Sequence, residues 1–337
     1  MKVLLLMLSP AGARGGMEKH VRELANGLAE QGLDVTCMAC ETHLQSLHPV
    51  VRRLPINTRA SRYSIPLHLN MIRTLRREQF DVVHAQGSKA AAVVQTLTHW
   101  SRHRTFVATI HNFKSRYPEA GRFSRIIAVS KALGADIGAD NVSVVYNGIQ
   151  PVPQPVDPDY SIADPENPNW LAVGRLVPAK GFDRLIPAFR KAKGSLTIAG
   201  DGPERASLEK LASAPELQGR VHLAGHQSNV QELMENADGI VIPSRREGFS
   251  YVFAEALLAG KPVITTDVPI ANEFLPESCI APKDCGADVL ATFLNQDLQQ
   301  LYDVQGGARE RADKELTLDA MVNNTLQVYS ESLGSRR

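Results

Sequence analysis

Short runs of consecutive apolar residues alternate along this chain with longer stretches in which apolar residues recur every three or four positions. Lys2–Leu8 is the first such run. A continuous apolar run closed by turn residues reads as a strand buried on both faces. Met17–Gln31 follows a turn-rich loop, with Val21, Leu24, Ala25, Leu28 and Ala29 at helical spacing and Gly32 as its stop. The cycle repeats. Strands are predicted at Leu33–Ala39, Val50–Asn57, Asp81–His84, Thr105–Ile110, Ile126–Val129 and Val142–Val145, with helices at Pro66–Glu78 and Ser88–Trp100. It then restarts with strands at Trp170–Val173, Ser195–Ala199, Arg220–Leu223, Gly239–Ile242 and Val263–Thr266, and a short one at Cys279-Ile280. Helices are predicted near Phe182–Lys191, Arg205–Ala212, Asn229–Asn236, Tyr251–Ala259, Gly286–Leu294, Leu298–Glu315 and Thr317–Leu333. Strands alternating with helices call for parallel sheets with helices on both faces.

Residues 151–168 interrupt the pattern. Six of these eighteen positions are proline, at 151, 153, 155, 158, 165 and 168. Neither helix nor central strand tolerates that density, so the segment is expected to be an extended linker. The expected organisation is a first domain at 1–150, the linker at 151–168, a second domain at 169–316 and a terminal helix at 317–337 that crosses back to the first domain. Asp157-Pro158-Asp159 inside the linker has the look of a metal-binding D-x-D but reads as structural in that context.

Composition changes this picture little: 43% apolar and 22% charged is ordinary for a globular protein. Charge changes it more. Residues 1–150 hold 19 Lys and Arg against 10 Asp and Glu, a net +9, and the remainder, 18 against 26, carries −8. Arg52, Arg53, Arg59, Arg62, Arg73, Arg76, Arg77, Arg102 and Arg104 belong to the basic part. This suits a partner that is anionic: a phosphorylated glycan or the face of an anionic membrane. Aromatic residues at 6% show no stacking platform, which argues against nucleic acid. No apolar run approaches the ~18 residues of a spanning helix, and the apolar core after Lys2 is shorter than the ~7 residues a signal peptide needs. Four cysteines without metal-ligand spacing imply neither a disulfide framework nor zinc, and a reducing cytosol fits them.

The candidate chemistry lies at strand ends. Glu247 and Glu255 stand eight residues apart after the Gly239–Ile242 strand, the second within the first turns of a helix. In open α/β sheets ligands bind at that place. The backbone N–H groups of Gly248, Phe249 and Ser250 suit an anionic group, Glu255 suits vicinal hydroxyls such as a ribose, and Glu247 is expected to be free to face a polyhydroxylated group. Gly174-Arg175 and Lys180-Gly181 follow the first strand of the second half and place two cations five residues apart, a natural clamp for a diphosphate. Gly200-Asp201-Gly202-Pro203 and Gly225-His226 end the next two strands, and the glycines allow close approach of a ligand.

Taken together, Gly-Arg-Leu-x4-Gly at 174–181, Gly-Asp-Gly-Pro at 200–203 and Glu-Gly-Phe-x5-Glu-Ala-Leu-Leu-Ala at 247–259 resemble the retaining glycosyltransferases of family 4. Gly15-Gly16-x-Glu18, His111, Val129-Ser130 and Asn147-Gly148-Ile149 resemble that family's markers in the first half. The resemblance spans essentially the whole chain. It implies the GT-B fold, two Rossmann-like doubly wound domains facing a central cleft. It implies that Arg175 and Lys180 bind the donor diphosphate, Glu255 the ribose and Glu247 the region of the donor sugar. His111 would contact that sugar, Gly16 would let the first helix approach donor phosphate or acceptor, and Glu18 would support the Gly15-Gly16 loop. Gly174, Gly200, Gly202, His226, Gly248, Phe249 and Ser250 complete the implied nucleotide-sugar site. The pattern departs from the family at Asn112, at Gln150 and at 269–273, which lacks the usual glycine-rich turn.

The implied activity is transfer of a hexose or N-acetylhexosamine from a nucleotide diphosphate sugar, UDP-sugar ahead of GDP-sugar, to a hydroxyl of a lipid-linked or lipopolysaccharide-type glycan. No metal or other cofactor is expected. The expected location is the cytoplasm, and contact with the cytoplasmic face of the inner membrane stays open. A GT-B-fold sugar epimerase and a non-catalytic nucleotide-sugar-binding protein stay open as alternatives. A nicotinamide oxidoreductase does not, because Gly12-x-x-Gly15-Gly16 lacks the G-x-G-x-x-G spacing.

Overall fold

A computed structural model describes residues 1–13, 15–98, 105–150, 160 and 164–334. Most of the expected linker, the Asp157-Pro158-Asp159 triplet and Arg102 and Arg104 lie outside these residues. The chain divides into two compact units, Met1–Gln150 with Glu315–Arg337, and Pro151–Lys314.

Unit 1 is a seven-stranded parallel sheet. Its strands are β1 (Lys2–Met7), β2 (Asp34–Ala39), β3 (Arg52–Pro55), β4 (Val82–Gln86), β5 (Thr105–Ile110), β6 (Arg125–Ala128) and β7 (Val142–Val144), in the order β3-β2-β1-β4-β5-β6-β7. The helices are α1 (Gly16–Glu30), α2 (Glu41–Leu44), α3 (Ile65–Arg77), α4 (Gly87–Leu97), α5 (Lys131–Ile137) and, from the far end of the chain, α14 (Leu318–Gly334). Helix α1 buries Val21, Leu24, Ala25 and Leu28, the stripe read from its sequence, against the sheet and against Met321, Val322 and Tyr329 of α14. At Gly27 a methyl group would stand 2.5 Å from a Val322 methyl, so the two helices approach closely there. Ile149 and Thr317 pair as an isolated parallel bridge that seats the start of α14 on the unit.

Unit 2 is a six-stranded parallel sheet of β8 (Asn169–Val173), β9 (Ser195–Ala199), β10 (Val221–Gly225), β11 (Gly239–Ile242), β12 (Val263–Thr266) and β13 (Ile280–Ala281), in the order β10-β9-β8-β11-β12-β13. Its helices are α6 (Phe182–Ala188), α7 (Arg205–Ala212), α8 (Val230–Glu235), α9 (Tyr251–Leu258), α10 (Ala271–Phe274), α11 (Ala287–Leu294), α12 (Leu298–Val304) and α13 (Gly306–Glu315). Trp170, Phe182, Phe189 and Phe253 are fully buried in it, each contributing up to about 3 kcal/mol of transfer free energy.

The helix expected at Leu298–Glu315 is two helices. The cause is Gln305, which is fully buried and turns its amide onto β12. It accepts from the Val263 N–H at 2.9 Å and donates to the Val263 carbonyl at 2.8 Å, replacing a missing strand neighbour. Gly306 and Gly307, poor helix formers, follow at once.

Candidate functional site

Strand order reverses in unit 2 between β8 and β11, and the loops leaving these two strands flank that switch point, where open α/β sheets bind ligands. They are the loops that carry Arg175 and Lys180 on one side and Glu247 to Ser250 on the other. Backbone bonds lace the neighbouring strand ends to them. The Gly174 N–H donates to Ala199 at 3.0 Å, Leu176 to Asp201 at 3.0 Å, Glu204 to Leu176 at 3.1 Å and Gly200 to Gly225 at 2.7 Å.

Two glycines hold the contact. Gly181 has φ +71°, and a Cβ there would stand 2.0 Å from the Pro243 carbonyl oxygen at the end of β11. Gly200 has φ +154°, and its Cβ would meet the Gly174 oxygen at 1.8 Å. No L side chain fits either position without moving a loop.

Side chains then fasten the two loops together. Arg245 makes a two-pronged pair with Asp183 at 2.6 and 2.8 Å and donates to the Pro178 carbonyl at 2.9 Å. Its neighbour Arg184 is buried. It donates to the carbonyls of Pro243 at 2.8 and 3.2 Å, Ser244 at 3.3 Å, Lys283 at 2.6 Å and Cys285 at 3.2 Å. Burial lowers its pKa, and the carbonyl dipoles supply the solvation it lost. Lys180 pairs with Glu247, which also accepts from the Ser244 hydroxyl at 2.8 Å. This corrects the expectation that Glu247 is free: its side chain is only 9% exposed and committed to Lys180. Arg175 is exposed, and among the described residues its guanidinium has no hydrogen-bond or ion-pair partner.

Helix α9 opens at this spot. Ser250 caps it, accepting from the Phe253 N–H at 3.4 Å. Gly248, Phe249 and Ser250 are all buried, and among the described residues none of their backbone N–H groups meets an acceptor. Buried orphan donors are rare, and three in succession at a helix N-terminus form a cradle for an anion. Glu255 lies half-buried on the same helix. Gly174 and Gly202 lie in the laced loops, with room at Gly174 only up against the Lys180 stem, 3.4 Å away. His226, by contrast, is exposed and forms no hydrogen bond among the described residues.

Unit 1 has its own switch point, between β1 and β4. The loop after β1 carries Gly15 as the extended N-cap of α1 and Gly16 as its first residue, both exposed. Glu18 accepts from the Ser9 hydroxyl and so ties the helix start to the end of the strand. His111 follows β5 and is buried. Its Nε2 meets the Gln86 side-chain oxygen at 3.0 Å, an arrangement that keeps the proton on Nε2 and leaves Nδ1, buried, as an acceptor without a partner among the described residues.

Behind it, His84 bridges the Tyr329 hydroxyl at 2.6 Å and Thr109 at 2.7 Å, and His20 packs edge-on against His111 with ring centroids 4.7 Å apart. Burial pushes all three histidines down, His20 to about 4 and His84 to about 3, so the cluster is uncharged at neutral pH. Asn147 lies near enough to oppose the shift at His20, but without hydrogen-bond geometry.

The residues that sequence reasoning missed are those that hold the named ones in place: Arg184, Arg245 and Ser244 in unit 2, and His84, Gln86 and Tyr329 in unit 1. Only Arg184 left a trace, as a lone cation within the apolar run Phe182–Phe189. Among the described residues no group of three His, Cys, Asp or Glu side chains could hold a metal ion, and no helix is long and apolar enough to cross a membrane.

Known proteins share the fold of both units. Residues 14–152 match the family model described as Glycosyltransferase Family 4, and residues 158–278 the model described as Glycosyl transferases group 1. The lipopolysaccharide core biosynthesis glycosyltransferase LpsD of Rhizobium meliloti is 26% identical over 82% of this chain and 83% of its own. HepE of Anabaena, solved in complex with UDP, superposes with a TM-score of 0.81 at 21% identity, covering 98% of this chain and all of its own. The lipopolysaccharide outer core galactosyltransferase WaaB, solved in its apo form, superposes at 0.77 with 16% identity and full coverage of both chains. The likeness to these structures carries the fold, and the family models carry the activity class: this chain is a glycosyltransferase of the GT-B type, related to enzymes of lipopolysaccharide assembly.

Proposed function

We propose that the protein transfers a hexose or N-acetylhexosamine from a nucleotide diphosphate sugar, UDP-linked in preference to GDP-linked, to a hydroxyl of a lipid-linked or lipopolysaccharide-type glycan, with retention at the anomeric carbon. The observation that carries this reading is the row of three backbone amides at Gly248, Phe249 and Ser250, in buried residues and without an acceptor among the described residues, beside Lys180 at the switch point of unit 2. A diphosphate satisfies those donors. Arg175, exposed and uncommitted, and Lys180 add charge-assisted bonds. Glu255 accepts from the ribose hydroxyls.

Glu247 acts first on Lys180, holding the ammonium at the cradle, and through it on the donor. His111 contacts the donor sugar. Gly15 and Gly16 leave the N-terminus of α1 open to donor phosphate or acceptor, and Glu18 steadies that loop. Gly174, Gly200 and Gly202 keep the strand-end loops low enough for the nucleotide, and His226 borders the same strand ends.

In the reaction the bond from the anomeric carbon to the phosphate oxygen breaks. The acceptor oxygen bonds to that carbon from the same face, and its proton passes to a phosphate oxygen of the leaving diphosphate. Positive potential where that charge develops is the main contribution of the protein. The step uses neither a protein base nor a metal. The work takes place at the cytoplasmic face of the inner membrane.

Proton NMR of the product tests this. An α-linked product from an α-linked donor, formed only when acceptor is present and at an unchanged rate after chelation with EDTA, is expected. Inversion overturns the stereochemistry. Product made without acceptor points to epimerisation, and activity lost to EDTA and restored by a divalent cation overturns the metal-free step.

A further inference from the structure

Four polar side chains interrupt the apolar core of unit 1 on one face of its sheet. His84 and Gln86 stand two residues apart on β4, while Thr109 lies on β5 and His111 just beyond its end. The register sets Gln86 beside Thr109, and the period of two gives all four the same face, the one covered by α1 and α14. All four are buried. A buried polar side chain costs stability unless it is bonded, so such a group on strands that otherwise carry mainly valine and alanine points to a task.

The bonds connect α14 to His111. His84 meets the Tyr329 hydroxyl of α14 through Nδ1 at 2.6 Å and the Thr109 hydroxyl through Nε2 at 2.7 Å, which uses both ring nitrogens. The Gln86 amide nitrogen stands 3.4 Å from that Nδ1 and 3.3 Å from that Nε2. An atom in the ring plane could be equally close to both nitrogens only by colliding with a ring carbon, so the amide lies over the ring face. The face of a neutral ring attracts N–H and repels oxygen. This settles which way the amide points: its nitrogen faces His84, and its oxygen faces His111 Nε2 at 3.0 Å. Gln86 is also the N-cap residue of α4 but makes no side-chain cap bond there, so its amide serves the two histidines.

We infer that Gln86 is a positioning residue for sugar transfer and that Tyr329 acts through it: by way of His84 and Gln86, the C-terminal helix holds the His111 ring in one tautomer and one orientation. This rests on the proposed contact of His111 with the donor sugar. Gln86, His84 and Tyr329 touch no substrate themselves.

Imidazole nitrogen-15 NMR of the full chain, labelled at histidine, reads the tautomer directly. In the wild type His111 is expected to carry its proton on Nε2. Gln86→Leu removes the acceptor and keeps most of the bulk. It should shift the His111 tautomer ratio about five- to ten-fold toward Nδ1–H, the share of one buried hydrogen bond. Tyr329→Phe removes only a hydroxyl and should shift the ratio the same way by about two-fold.

Affinity supplies the second readout, measured by titration calorimetry with UDP and with UDP-glucose, UDP-galactose and UDP-N-acetylglucosamine. The proposed nucleotide contacts lie mainly in unit 2, so both variants should bind UDP as the wild type does. Gln86→Leu should weaken the best-bound UDP-sugar by about five-fold or more. The two substitutions combined should lose no more than Gln86→Leu alone, because they act through one path.

The inference is overturned if wild-type His111 carries its proton on Nδ1, if Gln86→Leu leaves the tautomer ratio unchanged, or if the losses of the two variants multiply in full. A tautomer that shifts while UDP-sugar affinity stays the same overturns the positioning role. Should Gln86→Leu fail to fold, Tyr329→Phe carries both readouts, and an unchanged tautomer there overturns the link. If no UDP-sugar binds the wild type, the donor reading fails, and the tautomer still decides whether Tyr329 and Gln86 govern His111.

Discussion

Replacing Gly181 by alanine isolates the close approach of the two loops at the switch point. Two costs arise. The first is conformational: at φ +71° an L residue is worse off than glycine by about 1 kcal/mol. The second is steric. The new Cβ would stand 2.0 Å from the Pro243 carbonyl oxygen and 3.0 Å from Arg184 Nε, whereas carbon and oxygen need roughly 3.3 Å. Loop 174–181 must therefore move from the end of β11 by about 1 Å or more.

Gly219 supplies the control. Its φ is +76°, yet a Cβ there meets nothing within 4 Å. Gly219→Ala carries the conformational cost alone, about 1 kcal/mol, which lowers the melting temperature by roughly 2–4 °C in a domain of this size. Gly181→Ala should cost about 2–4 kcal/mol in all. It should also lower kcat/KM for donor by ~100-fold, since a displacement of about 1 Å at an aligned site is felt to that extent. Urea unfolding and initial rates over a donor series measure both. If the two variants have the same stability and the same donor kinetics, the steric argument is wrong and the loops are not held by that contact.

Further outcomes follow from the same geometry. Lys180→Ala should lower kcat by at least ~100-fold through lost charge stabilisation, and near wild-type turnover would remove Lys180 from the chemistry. Glu255→Ala should chiefly raise the KM for donor, and an unchanged KM would contradict the ribose role. Arg184→Leu leaves four carbonyl groups without their donor and should cost about 3–5 kcal/mol in urea unfolding, with a loss under ~1 kcal/mol counting against the clamp. The buried histidines set a pH dependence. With folded pKa values of about 4 and 3 for His20 and His84 against 6.5 unfolded, the unfolded chain binds more protons below pH 6.5. Stability should therefore be full above that pH and fall by several kcal/mol between 6.5 and 4. A flat profile over that window, or one unchanged by replacing His84 with glutamine, would show that these histidines are not held neutral by burial.

Much of this was legible in the sequence because parallel strands buried on both faces leave continuous apolar runs. Val3–Leu8, Thr105–Ile110 and Gly239–Ile242 needed no partner information to be recognised, and glycines at strand ends marked where loops must pass close. The single-turn helices were not legible. Helices α2 and α10 are four residues long each, too short for periodicity to register. The break between α12 and α13 depends on a glutamine that finds its partner 42 residues earlier.

The site shows the same division. Residues that would face a ligand stand at strand ends, and position alone exposes them. Residues that hold those in place act across the fold, as Arg184 does with Lys283 and His84 with Tyr329, 245 positions away. Nothing local encodes such pairs. The commitment of Glu247 to Lys180 was hidden for the same reason, since the two are 67 residues apart.

The most direct test of the central claim is the amide NMR spectrum of isotopically labelled protein titrated with UDP. The account expects the largest shifts at the backbone N–H groups of Gly248, Phe249 and Ser250, moving with the loop that carries Arg175 and Lys180. Saturable binding that leaves those three amides unmoved while others shift would contradict it.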